Sequence, residues 1–343
     1  MKRQIKQINY GLAFLRTILA FYVIRYHCFH DKAKKNLILN YLIIKRRNIH
    51  VPSFFIMSFY FNYKSLISRN SKINCKRFER LIIPYIFWPI IIYLLNIITS
   101  KYFKIELNYT FKSLLIQLIL GRGIINPLWF QFDLIALTFL FLVIIYLFKK
   151  YYLILLQFLM IFAYFLQYSK YNEYFFLHFR NEFQNSVGRL NLMIPFAVTG
   201  FTLSSLNIID NLKKYYKLKT IIFSTIIFIF VDNFRIFFVF SKFADYTGIK
   251  LNVLSICLIF IFSSFAFEKI KIKYITNIVD LTTRYTAGIF YLHIPVYKYS
   301  KYFFNCIRKG DFISLFLVYI NSYFICYFGI LFFGKTKIKH LFS

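Results

Sequence analysis

Apolar residues along this chain gather into long blocks separated by short polar stretches. A helix needs ~20 predominantly apolar residues to cross a bilayer's hydrocarbon core. Runs of that kind lie near 8–29, 50–68, 81–100, 128–148, 151–168, 187–206, 218–240, 250–267, 284–300 and 312–333. The pattern predicts an all-α, polytopic integral membrane protein with about ten transmembrane helices in one bundle. The segment from Thr110 to Leu120 (TFKSLLIQLIL) is apolar but short, and is expected to lie in the interface or to re-enter. Only Lys149 and Lys150 separate the fourth run from the fifth. The other connections are short and polar, so residues 1–343 are expected to form a single transmembrane domain with no separate soluble domain.

Composition agrees. The 343 residues are 59% hydrophobic and 16% charged, with a mean hydropathy of +0.58. Soluble domains average roughly 45–50% and about 25%. Disorder, a collagen repeat and a disulfide-stapled secreted domain are excluded on the same grounds. The balance of 44 Lys+Arg against 12 Asp+Glu gives a net charge of +32. These cations are scattered between apolar runs without forming a basic face, so contact with anionic lipid headgroups is expected and a nucleic-acid partner is not. Lys2, Arg3 and Lys6 precede the first run as in a signal peptide, but Arg16, Arg25 and His27 interrupt it and no small-residue cleavage site follows. It is read as a retained first span. The Lys and Arg distribution favours an N-terminus inside, although Lys32, Lys34, Lys35, Lys45, Arg46 and Arg47 then fall in an outer loop, against the positive-inside rule. A multi-pass protein of the plasma or inner membrane is the expectation. Five cysteines without a C-x-x-C suggest neither a disulfide framework nor zinc, and no metal is predicted. Cys28, Cys257 and Cys326 sit in apolar runs, where a thiol packs as a small hydrophobe.

Ionisable residues inside a span are costly, and are functional or paired. The first span holds Arg16, Arg25 and His27. Eleven residues at 100° each close about three turns to within roughly 20°, so Arg16 and His27 leave one helix face about 16 Å apart along the axis. Arg25 points to roughly the opposite side. One reading is that the face lines a path for something elongated and polar. The other is that Arg16 pairs with a buried acid and His27 merely reaches the interface. Asp133, inside the fourth run, is a candidate partner for an intramembrane arginine. Asp232 with Arg235, and Asp280 with Arg284, are spaced as local pairs. His30 reads as loop.

Several short segments share one resemblance. GLAFLRTILAFYVIRYHCFH resembles the first span of the membrane acyltransferase-3 family, whose Arg-x10-His spacing Arg16 and His27 fit. VPSFFIMSFYF is similar to that family's second-span motif through Pro52, Phe54, Phe55, Ser58 and Tyr60, departing at Phe59, where glycine is usual. CKRFERLIIPYIFW resembles its Arg-x-x-Arg stretch through Arg77 and Arg80, PLWFQ its Leu-Trp-Phe entry at Trp129, and GIFYLHIPV its late span through Tyr291, His293 and Pro295. The resemblance implies transfer of an acyl group, usually acetyl from acetyl-CoA as donor, onto a sugar hydroxyl of a cell-surface polysaccharide or lipid-linked glycan. His27 becomes the candidate general base or transient acyl acceptor, and Arg16 the candidate for donor pairing or for stabilising a tetrahedral intermediate. Arg77 and Arg80, three apart at an expected membrane boundary, suit CoA phosphates, or simply anchor the inner surface. Ser58, Trp129, Tyr291 and His293 are secondary candidates. Some relatives carry a hydrolase-like domain after the last span. With the sequence ending at Ser343, the expectation is that the chain completes transfer itself or hands the acyl group to a separate partner protein. A non-enzymatic carrier or flippase for a lipid-linked sugar is the alternative, with Arg16 and His27 lining its path.

Overall fold

The computed structural model describes residues 10–29, 49–68, 71–103, 110–122, 128–168, 182–209, 211, 217–233, 248–264, 273–304, 312–333 and 336. Of residues 26–29, 103, 182–185, 233, 273–282, 284, 301–304, 312–313 and 315 it describes the backbone alone. His30 and Arg235 lie outside the described residues, as do the side chains of His27, Asp280 and Arg284.

Among the described residues the chain is helical, with no strand. The helices are α1 (Tyr10–Phe29), α2 (His50–Ile67), α3 (Ser71–Phe103), α4 (Phe111–Leu120), α5 (Trp129–Phe148), α6 (Tyr152–Tyr168), α7 (Glu182–Ser205), α8 (Lys217–Asn233), α9 (Ile249–Ser264), α10 (Lys273–Phe304) and α11 (Phe312–Phe333). A helix occupies each of the ten apolar runs, and α4 forms from the short segment between the third and fourth. Among the described residues three helices are long and apolar enough to cross a membrane by themselves: α3 over Ser71–Tyr102, α5, and α11 over Phe316–Phe333. Helices α4, α6 and α9 are shorter but also apolar.

Two boundaries differ from the hydropathy pattern. Helix α3 begins at Ser71, ten residues before its apolar run, and α10 begins at Lys273, eleven before its own. Hydropathy senses only the apolar part of a helix, and the polar first turns of both continue the same hydrogen-bonded rod. Pro84 and Pro89 in α3, Pro195 in α7 and Pro295 in α10 are all internal to helices. Proline is tolerated there because neighbouring elements re-satisfy the backbone groups it leaves unpaired.

Large apolar side chains cover the outer faces, as on α5 (Phe139, Tyr146), α6 (Phe158, Phe165) and α11 (Phe328, Phe332). Polar ones such as Gln117, Gln131, Asp133, Thr138 and Asn252 are buried inside. That distribution suits a hydrocarbon solvent. Helix α1 sits at the seam of the bundle. Its Leu12, Leu15 and Leu19 belong to an apolar cluster built with α2, α5, α6, α7 and α9. Its Val23 and Ile24 belong to a second cluster with α3, α4, α10 and α11. Helices α2 and α7 pack closely at Gly200, where an added Cβ would lie 2.1 Å from the Ile56 carbonyl oxygen. Small residues permit such backbone approach between helices in membranes. Cys257 and Cys326 are buried as free thiols, as their apolar runs suggested, and Cys75 is exposed.

Candidate active site

Helices α1 and α10 run side by side. The Thr283 hydroxyl donates to the Ala13 carbonyl at 3.3 Å. Ten residues on in each helix, Val23 and Ile24 share an apolar cluster with Ile289 to Leu292 and Val296. The two helices are therefore parallel, and His293 stands near the depth of Val23, four residues before His27. Arg16 is half-buried. No described carboxylate pairs with it, so the reading that gives Arg16 a buried acid finds no partner among the described residues.

His293 is fully buried, and its Nδ1 lies 2.7 Å from the Phe290 carbonyl oxygen. A carbonyl only accepts, so Nδ1 carries a proton, and in the neutral ring Nε2 keeps the lone pair. The ring of Phe290 lies 5.9 Å from that of His293 and 5.3 Å from that of Phe130. Phe130 in turn meets Phe55 at 4.7 Å, Phe54 at 6.1 Å and Trp129 at 6.3 Å. Segments of α2, α5 and α10 that lie far apart in the sequence thus converge on one aromatic cluster beside α1. Tyr291 is buried and meets Phe290 edge-on at 6.2 Å. Ser58 is half-buried on α2, and its carbonyl accepts from the Asn62 amide.

Arg77 and Arg80 part company. Arg80 is exposed. Arg77 is 9% exposed and turns into the bundle, where its Nη2 donates to the Thr138 hydroxyl at 3.0 Å and its guanidinium lies 5.9 Å from the Phe59 ring centre. The early start of α3 is the reason: Arg77 sits on a rod already packed against α2 and α5.

Sequence reasoning missed three buried groups. Arg189 on α7 answers the search for a partner to Asp133: its Nε donates to Oδ2 at 2.8 Å and its Nη2 to Oδ1 at 2.9 Å, a two-point fork. Nη2 also reaches the Leu120 carbonyl at 3.2 Å, where Ser186 donates as well at 2.7 Å. The guanidinium lies 5.4 Å from the Trp129 ring centre, so Trp129 is wedged between this ion pair and Phe130. Arg189 falls inside the sixth apolar run, and the rule that singled out Arg16 would have found it. His50, fully buried at the start of α2, faces the Tyr22 ring at 6.0 Å, and it too begins an apolar run. Thr138 gave no signal, because a hydroxyl in a span is common and cheap. Among the described residues no group of three His, Cys, Asp or Glu side chains is placed to hold a metal.

A family model described as an acyltransferase domain matches residues 9–335, nearly the whole chain. No functionally curated protein and no solved structure matches. The match takes in α1 to α11 and every segment that meets at the aromatic cluster, and this chain belongs to the acyltransferase-3 family of membrane acyltransferases.

Proposed function

We propose that this membrane acyltransferase moves an acetyl group from acetyl-CoA to a sugar hydroxyl of a cell-surface polysaccharide or lipid-linked glycan. The observation that carries the reading is the convergence of Phe54 and Phe55, Trp129 and Phe130, and Phe290 and His293 at one place beside α1. With His27, a half-buried Arg16 and a deeply buried Arg77 in the same bundle would supply what acyl transfer needs. That is a base, a cation for a developing oxyanion and a cation for an anionic donor.

In this mechanism His27 takes the proton of the sugar hydroxyl as its oxygen attacks the thioester carbonyl. Arg16 stabilises the negative oxygen of the tetrahedral intermediate in a water-poor site, where such an interaction is strongest. The carbon–sulfur bond then breaks, and the CoA sulfur leaves with the proton from the imidazolium. The products are an O-acetyl ester and a free thiol. A variant of the same chemistry passes the acetyl group through the His27 ring before the sugar receives it. His293, basic at Nε2 when the ring is neutral, is the second histidine of the site, and Tyr291 and Trp129 form its walls. Arg77 binds a donor phosphate. The ten helices over the apolar runs cross the plasma or inner membrane with the N-terminus inside, α4 lying in or re-entering the interface.

Mass and NMR analysis of envelope glycans from a deletion strain and its complemented parent tests the reading. An acetyl ester on sugar present only in the parent supports it. Identical glycans, with transport of a lipid-linked sugar lost in the deletion, would replace it with the carrier.

A further inference from the structure

Arg77 is a buried cation for which the described residues supply no counter-ion. Thr138 lies nine residues into the twenty-residue α5, roughly 14 Å along a helix of about 30 Å. Its hydroxyl therefore holds the Arg77 guanidinium near mid-depth of a helix long and apolar enough to span a membrane. A guanidinium does not shed its proton, so it cannot escape the cost of burial by becoming neutral. That cost is several kcal/mol when no opposite charge compensates it. Among the described residues no carboxylate pairs with Arg77, and its Nε is buried without a hydrogen-bond partner. Arg189, in the same bundle, shows the compensated alternative, with both oxygens of Asp133 engaged. The neutral contacts of Arg77 are geometrically well defined nonetheless. Thr138 fixes one nitrogen, and the Phe59 ring, itself packed 4.6 Å from Phe141, supports the guanidinium. Such a holder orients a charge without neutralising it.

We propose that Thr138 is a positioning residue for the acyl donor: together with the Phe59 ring it holds the Arg77 guanidinium inside the bundle, aimed at a phosphate of the incoming acyl-CoA. This rests on the reading of Arg77 as a donor residue and adds where that contact lies and what sets it. The donor's phosphate reaches past the exposed Arg80 to a cation between α2, α3 and α5, and brings the missing negative charge with it.

The test compares acetyl-CoA with acetyl-pantetheine, which carries the same thioester but no phosphate, in membranes holding the full chain. In the unaltered protein KM for acetyl-pantetheine exceeds that for acetyl-CoA, and Arg77→Lys narrows the gap because an ammonium cannot reproduce the fork. Thr138→Val, nearly isosteric, lowers the ratio of the two KM values by roughly tenfold, the scale of one hydrogen bond to a charged group. Thr138→Ser restores it. Should Thr138→Val fail to accumulate, Phe59→Leu must lower the same ratio. A purely structural role for Thr138 moves both KM values together and leaves the ratio unchanged, which overturns the inference. If the unaltered protein does not distinguish the two donors, the donor assignment of Arg77 itself fails. If Arg77→Lys narrows the gap while Thr138→Val and Phe59→Leu do not, that assignment stands and only the positioning role falls.

Discussion

Replacing Asp133 by alanine strips the ion pair at the junction of α4, α5 and α7. Its carboxylate is fully buried and the Arg189 side chain is 14% exposed, so the pair is shielded from water. The substitution removes both bonds of the fork and leaves a guanidinium between the Trp129 and Phe132 rings with one carbonyl, Leu120, still in reach. Breaking a buried pair from one side costs about 3–5 kcal/mol, because the surviving charge is uncompensated. Removing Arg189 by Arg189→Met costs less, since the orphaned carboxyl can take up a proton whereas a guanidinium cannot lose one. The double variant, which buries no charge, is expected to recover at least about 1 kcal/mol relative to the sum of the singles. Thermal unfolding of the detergent-solubilised protein, followed by size-exclusion fluorescence, measures all four corners of the cycle. Additive losses, or a milder effect for Asp133→Ala than for Arg189→Met, would refute this account of the pair.

Two further substitutions probe helix packing. Gly200→Ala places a methyl group 2.1 Å from the Ile56 carbonyl oxygen. It should push α2 from α7 at a cost of about 1–3 kcal/mol, the usual penalty of overpacking, read as a lower melting temperature in detergent. Asn252→Leu removes hydrogen bonds of 2.9 Å to the Tyr164 hydroxyl and 2.8 Å to the Thr199 hydroxyl, which tie α9 to α6 and α7. Interhelical bonds of this kind contribute about 0.6–2 kcal/mol, and unfolding should register a loss in that range.

Much of this architecture was legible in the sequence, because a bilayer imposes one requirement that hydropathy reads directly. A helix forms in every apolar run, and the short TFKSLLIQLIL segment became the separate α4. Its start is set by a reciprocal cap, the Thr110 hydroxyl accepting from the Ser113 amide at 3.2 Å while the Ser113 hydroxyl accepts from the Thr110 amide at 3.0 Å. Its end is set by Gly121 at φ +70°, where glycine is the natural residue. Hydropathy could not locate the start of α3, and so gave no sign that Arg77 turns into the bundle. Asp133 announced itself as an acid in a span, but its partner Arg189 lies 56 residues away, a separation no local pattern encodes. Arg16 and His27 came from spacing within one helix, the kind of relation a sequence preserves. The meeting of Phe54, Phe130 and Phe290 belongs to tertiary packing. It appears only once α2, α5 and α10 are placed together.

The most direct measurement follows labelled acetyl from acetyl-CoA into envelope glycan in membranes carrying the unaltered chain, His27→Ala, Arg16→Ala or His30→Ala. Transfer should vanish with the first two substitutions and largely survive the third. Full transfer by both His27→Ala and Arg16→Ala would contradict the assignment of chemistry to that face of α1.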